Sequence, residues 1–513
     1  MKSKIFWKLI CSLLIPFGVF SQISISFPTE RAVFQRNQNN KGFIQISGSY
    51  QPILTRVEAR VIPINGGQET PWTTISTNPT GGNFIGKLEV TGGWYRLEVR
   101  GLFNERVEGI TTINRVGVGE VFLISGQSNA RGVIGETAHP INQDDRVSCI
   151  TNFFANDTDT PPFPTFAQLK DENTFYAPEG YGSWYWGELG AKLATRLNVP
   201  ILFINTAWEG LAIDAWRESL LGGTAPNPFS GLRAKPGYPY NSTRYALNYY
   251  HHLLGIRAIL WSQGESDTFI NKSAQEYAND LKLVISETRK SSAKNIAWVV
   301  SRTSKVGNRT SPDVIQGQNI TISTTQNVFP GPNLDQIEDR YDGTHFNTVG
   351  LNKAADEWSI FLNDAFFNSS IPFVGTGFIE PTIKCSIESD VPIQITLNTD
   401  KKNINWSNGL KDATIFIKSG QLQAQVVDTN KNVSYSPILF FDQNTIPQKP
   451  QISVIGSSIL CEGETTTLRS NYSINNVWTS GAITPQIVVS KTTTERVSYT
   501  NSYGCTVQSD AVT

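Results

Sequence analysis

Gly119-Glu120-Val121-Phe122-Leu123-Ile124-Ser125-Gly126-Gln127-Ser128-Asn129-Ala130-Arg131-Gly132 passes abruptly from an unbroken apolar run into small and polar residues. A short run that does not alternate is the pattern of a strand covered on both faces, as in a parallel sheet. Ser128 then stands just past the carboxyl end of that strand, the edge at which open α/β sheets bind ligands. Backbone N–H groups in such a loop can face a developing negative charge, so Ser128 is a candidate nucleophile. Taken alone, the segment is equally well an ordinary strand-to-loop turn, because Gly, Ser and Asn fill turns everywhere.

Working outward, residues 116–370 read as an α/β domain. Short apolar strands at 121–124, 201–204, 258–261 and 296–300 alternate with helical segments, the signature of βαβ units. Ser273-Ala274-Gln275-Glu276 has the spacing of a capping box, and Tyr277, Leu281, Val284 and Thr288 follow on one helical face. A last helix over about 349–366 places Leu351, Ala355, Trp358 and Leu362 on one side. Residues 23–115 alternate in strand fashion between turns such as Asn65-Gly66-Gly67, and read as a small β-sandwich with a structural role. After Pro372 the chain is β-rich and repeats itself. Asn405-Trp406-Ser407-Asn408-Gly409 recurs as Val477-Trp478-Thr479-Ser480-Gly481, and at the same offset Ile415, Ile417 and Val427 meet Ile487, Val489 and Tyr499. Two modules of one kind are expected, 371–446 and 447–513, with Pro447-Gln448-Lys449-Pro450 as the linker; Thr513 falls in a strand-like segment, so the second module is expected to be incomplete.

Several domains suit the length, since 513 residues exceed the roughly 250–300 at which single cores stop growing. Lys and Arg number 43 against 44 Asp and Glu, a formal charge of -1, so no bulk field favours nucleic acid or an anionic membrane and a neutral partner fits better. The 12 Trp keep a carbohydrate ligand open without demonstrating one. Lys2, Lys4 and Lys8 precede an apolar run over 9–20 and the small Ser21, which reads as a secretory signal over 1–22 and predicts a secreted or cell-surface protein of bacterial export type, with no membrane contact after cleavage. Cys149, Cys385, Cys461 and Cys505 remain, compatible with one or two bridges. No Cys/His cluster has zinc spacing, and neither metal nor cofactor is expected.

A serine nucleophile needs a base, and the chain has four histidines. His345 lies in Tyr341-Asp342-Gly343-Thr344-His345-Phe346-Asn347, three residues after an aspartate on a loop before the last helix. A carboxylate and an imidazole so spaced can meet directly, fixing the tautomer whose other nitrogen takes the serine proton. His251 and His252 read as helix packing, and His139 precedes Pro140 in a loop. On its own the Asp342–His345 loop is better explained by side chains that hydrogen-bond at a helix entry. Two further strand-to-loop junctions weigh against that. Gly210, in the loop after the strand at 201–204, lets backbone approach a ligand and offers an N–H. Gln263, closing the strand at 258–261, brings a side-chain amide donor, and Glu265 beside it reads as a buried organiser of loops.

Gly126-Gln127-Ser128-Asn129, Gly210 in its Trp-rich loop, Gln263-Gly264-Glu265 and Asp342-Gly343-Thr344-His345 resemble the successive blocks of the SGNH hydrolase superfamily, in the form seen in sialate O-acetylesterases and related acetylxylan esterases. The resemblance covers roughly 116–367 and implies a three-layer, flavodoxin-like domain. It implies Ser128 as nucleophile, His345 as base and Asp342 as orienting acid, with an oxyanion hole from the Ser128 N–H, the Gly210 N–H and the Gln263 amide. Gln127, Asn129 and Glu265 would support them. The sequence departs from the superfamily's usual pattern in Gln127 and in Gln263, where asparagine is commoner; both suit the carbohydrate-esterase branch. The order Cys461, Trp478, Cys505 resembles that of an immunoglobulin-like sandwich and implies a Cys461–Cys505 disulfide. The resulting expectation is a secreted serine esterase acting on an acetylated carbohydrate of sialic acid or xylan type, with glycan or cell-surface contact through the C-terminal modules. The alternatives are a non-catalytic glycan-binding or adhesive surface protein, and a lipase-like or aryl-ester hydrolase of the same superfamily.

Overall fold

The computed structural model describes residues 23–151, 161–385, 393–400, 403–442 and 445–513, so the expected signal segment lies outside the described residues. One 21-residue strand, Arg106–Gly126, organises the architecture. Its first half pairs antiparallel with Gly93–Phe103, which in turn pairs with Arg56–Gly66. Its second half pairs parallel with Ile201–Asn205 on one side and Ala258–Ser262 on the other. Burial changes sharply along it. Exposed and half-buried residues alternate up to Arg115, and every residue from Val116 to Gly126 is buried. At Val116, read above as a domain boundary, the cover changes within one continuous strand.

Beyond that strand, the sheet runs in the order Phe166–Gln168, Val147–Ile150, Ile201–Asn205, Arg106–Gly126, Ala258–Ser262, Ala297–Arg302, Val328–Asn333. All these pairings are parallel except that of the first two strands. Helices cover both faces, and the period-2 alternation of the central strand sorts its side chains between them. Val121 and Leu123 pack with Tyr245, Tyr277, Leu281 and Val284 from the helices Tyr240–Leu254 and Ala274–Ser292. Phe122 and Ile124 pack with Leu189, Leu193, Leu351 and Trp358 from Trp186–Leu197 and Thr348–Phe361. The capping box at Ser273 is present in both directions. Connections leave the Arg106–Gly126 strand first to one side and then to the other, so its carboxyl end is a topological switch point, where such sheets open a crevice.

On the N-terminal side, Ile23–Phe27, Lys41–Tyr50 and Asn83–Thr91 form a three-stranded antiparallel sheet. Ile44, Ile46, Phe84 and Leu88 share one apolar core with Val57, Val61, Leu97 and Val99 of the longer sheet.

The C-terminal strands repeat as expected. Thr414–Ile417 and Asn403–Trp406 in the first module correspond to Gln486–Val489 and Asn476–Trp478 in the second. Each buried Trp donates its indole N–H to the carbonyl six residues on, Trp406 to Asp412 at 3.0 Å and Trp478 to Thr484 at 2.8 Å. The expected Cys461–Cys505 bridge is not formed. Cys505 is buried and pairs with Cys385 of the first module, across 120 residues of sequence, while Cys461 is exposed and its N–H bonds the Glu464 carboxylate at 2.9 Å. Trp478 packs instead on Leu468 and Val497. The disulfide thus joins two modules rather than two sheets of one.

Candidate active site

The carboxyl end of the central strand turns sharply at Gly126, whose φ of +138° and contact with Ser262 exclude a side chain: a Cβ there would lie 1.9 Å from the Ser262 oxygen. The turn delivers Ser128 as the first residue of a short helix, Ser128–Arg131. That helix is held from below by buried donors. The indoles of Trp184 and Trp186 donate to the carbonyls of Asn129 and Ala130 at 3.0 and 2.7 Å, and Asn205 Nδ2 donates to Ala130 at 3.0 Å. Both Trp are fully buried, as is Trp216, whereas Trp208 lines the cleft.

The loop before Thr348–Phe361 brings the other two groups. His345 Nε2 lies 2.8 Å from Ser128 Oγ, and His345 Nδ1 lies 2.6 Å from Asp342 Oδ2. The second carboxylate oxygen, Oδ1, accepts the Thr344 and His345 N–H groups at 2.8 and 2.6 Å. Burial pushes the Asp342 carboxyl up, but these N–H groups and the imidazole outweigh it and hold it below the ordinary carboxylate range. An ionised Asp342 favours Nδ1 as the protonated nitrogen, which turns an unprotonated Nε2 toward Ser128 Oγ.

Asn129 and Glu265 are placed as organisers. Asn129 Nδ2 donates to Glu265 Oε1 at 2.8 Å and to the Thr344 carbonyl at 3.0 Å, so one amide ties the serine helix, the Glu265 helix and the His345 loop together. Arg340 donates to the same Thr344 carbonyl and stacks over Phe346 at 4.2 Å. Glu265 is fully buried and its carboxyl is raised by burial.

The expected oxyanion donors divide. Gly210 lines the cleft with φ +66°, and a Cβ there would meet Asn227 Nδ2 at 2.3 Å. The N–H groups of Ser128 and Gly210 have no hydrogen-bond acceptor among the described residues. Gln263 is different. Its Nε2 donates to Asp267, to the Leu211 carbonyl at 3.2 Å and to Gln127 Oε1 at 3.2 Å, while its Oε1 accepts from Tyr277 at 2.9 Å. Every donor and acceptor of that amide is engaged below the surface, and Gln263 does not line the cleft. Gln263 was expected to supply the third donor; its N–H is instead claimed by the buried Asp267 carboxyl.

A cleft of about 730 Å³ opens over Ser128 and His345. Its lining includes Gln127, Arg131, Glu179, Trp208 and Glu209, together with the loop bearing Asn227, Phe229, Leu232 and Arg233. Arg131 lies over the Tyr181 ring at 3.9 Å and pairs with Glu209 at 2.9 Å. Arg131, Glu179 and the 227–234 loop were not identified from the sequence. Arg131 follows the serine block directly and is the one a spacing argument could have found. His139 and His251 are buried elsewhere, His139 against the Val133 carbonyl and His251 within the helix Tyr240–Leu254.

Residues 118–358 match the model of a carbohydrate esterase family described as sialic acid-specific acetylesterase. The expected class, a carbohydrate O-acetylesterase, is the class of the family matched. Among solved structures, the chain is similar to a carbohydrate acetylesterase from Xanthomonas citri, at 14% identity and TM-score 0.43 over 94% of this chain and 97% of that one. It is also similar to a protein from Arabidopsis thaliana, at 16% identity and TM-score 0.32 over 49% of this chain and 98% of that one. A family two carbohydrate esterase from Cellvibrio japonicus is similar at 13% identity and TM-score 0.28 over 68% of this chain and 96% of that one. No curated protein sequence matches the chain.

Proposed function

We propose that the protein is an exported serine esterase that removes O-acetyl groups from carbohydrate hydroxyls by a Ser128–His345–Asp342 mechanism. One observation carries the reading: hydroxyl, imidazole and carboxylate stand in a continuous hydrogen-bonded line at 2.8 and 2.6 Å, at the floor of an open cleft. Ser128 Oγ attacks the acetyl carbonyl carbon as His345 Nε2 takes its proton, and Asp342 stabilises the imidazolium. The tetrahedral intermediate collapses, and the departing sugar oxygen takes the proton from Nε2. Water, deprotonated by the same nitrogen, then attacks the acetyl-serine and releases acetate.

The segment 1–22 is read as the export signal, residues 23–115 as a β-sandwich wall, and the two C-terminal repeats as immunoglobulin-like modules that carry glycan or cell-surface contacts. The test is acetate release from p-nitrophenyl acetate, acetylated xylan and O-acetylated sialoglycans, by the wild type and by Ser128→Ala. Loss of release in the variant is expected. Release that persists in Ser128→Ala, or none from any of the three substrates by the wild type, refutes the reading.

A further inference from the structure

We propose that Phe229 and Phe269 form a stacking platform for a sugar ring next to the acetylated one, so that the preferred substrate is an oligosaccharide or polysaccharide rather than a single sugar. The inference rests on the esterase reading of the same cleft. Phe229 is 48% exposed and Phe269 43%, and their rings lie 4.6 Å apart between centres, tilted at 45°. Among the described residues, neither ring packs in an apolar core. Single apolar side chains on a surface are ordinary, but two exposed aromatic rings in contact at the edge of a cleft mark a binding surface. Phe229 lines the cleft over Ser128 and Phe269 does not, so the pair runs from the cleft on to the surface beyond it. That is the position of a sugar flanking the one whose acetyl group reaches Ser128.

Local hydrogen bonds give both rings a defined place. Phe229 sits in a tip closed by an antiparallel bridge between Pro226 and Arg233. Inside it Asn227 Oδ1 accepts the Phe229 and Ser230 N–H groups at 2.9 and 3.2 Å, and the Asn227 carbonyl accepts the Gly231 N–H at 2.8 Å, so the tip holds its own shape. Asn227 Nδ2 also stands against Gly210, where a Cβ would come within 2.3 Å of it, which sets the tip beside the cleft glycine. Phe269 ends the short helix Glu265–Phe269, whose first residue accepts from Asn129 of the serine helix. Sugar rings carry C–H groups on their faces and hydroxyls at their edges. The faces shed water when they pack on an aromatic ring. For the edges, Arg233 lines the same cleft with a guanidinium whose Nη1 donates to the Thr224 carbonyl at 2.8 Å and whose other N–H groups can reach hydroxyls.

The test compares Phe229→Leu and Phe269→Leu, which keep apolar volume and lose the flat face, with Phe229→Tyr, which keeps the face. Acetate release is followed from O-acetylated xylohexaose, from O-acetylated xylose and from vinyl acetate, which carries no ring; where a sialoglycan is the better substrate, the O-acetylated sialyl trisaccharide and free O-acetylated sialic acid take the place of the two xylose compounds. Each Leu variant is expected to raise KM for the oligosaccharide about tenfold, the effect of losing roughly 55 Å² of apolar burial. Its kcat, and its kinetics on the monosaccharide and on vinyl acetate, should stay as in the wild type, and Phe229→Tyr should keep KM within about twofold. Melting curves show that each variant is folded. The proposal is overturned if both Leu variants keep the wild-type KM for the oligosaccharide, if KM for the monosaccharide rises as much, or if Phe229→Leu shifts preference from vinyl acetate to vinyl butyrate, which would make the ring a wall of the acyl pocket. Failure of the esterase reading is a distinct outcome, read by saturation-transfer NMR with unacetylated xylohexaose. A wild type that releases no acetate but binds the hexaose, with binding lost in both Leu variants, keeps the platform; a wild type that neither releases acetate nor binds overturns both.

Discussion

Glu179 in the cleft wall offers a quantitative test of the site's electrostatics. Burial raises its carboxyl from an ordinary 4.5 to about 7, against the opposing pull of Arg131 and of the Ser242 hydroxyl, which donates at 3.3 Å. The folded protein therefore holds this proton to a higher pH than the unfolded chain does. Between the two values unfolding releases a proton, so stability falls as pH rises, by about 1.4 kcal/mol per pH unit and about 3 kcal/mol in all. Glu179→Gln keeps the acceptor for Ser242 and removes the titration. Its stability relative to the wild type should therefore climb by about 3 kcal/mol from about pH 4.5 to about pH 8 and be flat beyond. Asp267, also raised to about 7 by burial, gives both proteins a slope of the same sign, so the quantity to read is the difference between them. Urea unfolding followed by Trp fluorescence across that range supplies it. A difference independent of pH, or one that grows as pH falls, would refute the reasoning, the second by showing that Arg131 outweighs burial.

Ser128→Ala should lower acetate release by about 10⁶-fold, and Asp342→Asn, which loses the ionised acceptor for Nδ1, by about 10⁴-fold, both read as kcat with unchanged melting. Asn129→Ala leaves Glu265 Oε1 without its donor and frees the His345 loop from the serine helix; a loss of about 1–3 kcal/mol in stability is expected, and Asn129→Leu combined with Glu265→Leu should recover part of it in chemical denaturation. Cys385→Ser or Cys505→Ser should destabilise the C-terminal region by about 2–5 kcal/mol, whereas Cys461→Ser should leave its melting unchanged with and without reductant.

What could be read from the sequence was what depends on local pattern. The central strand, the capping box at Ser273 and the helix carrying Leu351 and Trp358 follow from periodicity that short-range backbone geometry imposes. The serine, the histidine and the aspartate were legible because each closes or precedes an element and their chemistry needs one another. The repeat of Trp406 at Trp478 was legible because both modules spend the same six-residue turn on the same indole hydrogen bond. What could not be read depended on contacts between distant segments. Which of two glutamines faces the cleft is settled by Asp267, Tyr277 and Leu211 around Gln263, and no spacing rule carries that competition. The Cys385–Cys505 pair required knowing how two repeats sit together, and the order of Cys461, Trp478 and Cys505 pointed to a fold within one of them. The period change at Val116 falls inside one continuous strand, where a second cover begins.

The unbroken strand Arg106–Gly126 limits how the protein can move. A pivot needs at least one residue free to change its backbone angles, and from Val116 to Gly126 the chain is buried throughout and paired on at least one side at every residue, and on both at Gly117, Val118 and Phe122–Ile124. The N-terminal layer and the loop bearing Ser128 are therefore expected to travel together. Any widening needed to admit a polymer is expected instead at the exposed turn around Phe229 and Leu232, so substitutions that stiffen that turn should throttle bulky substrates while sparing small aryl acetates.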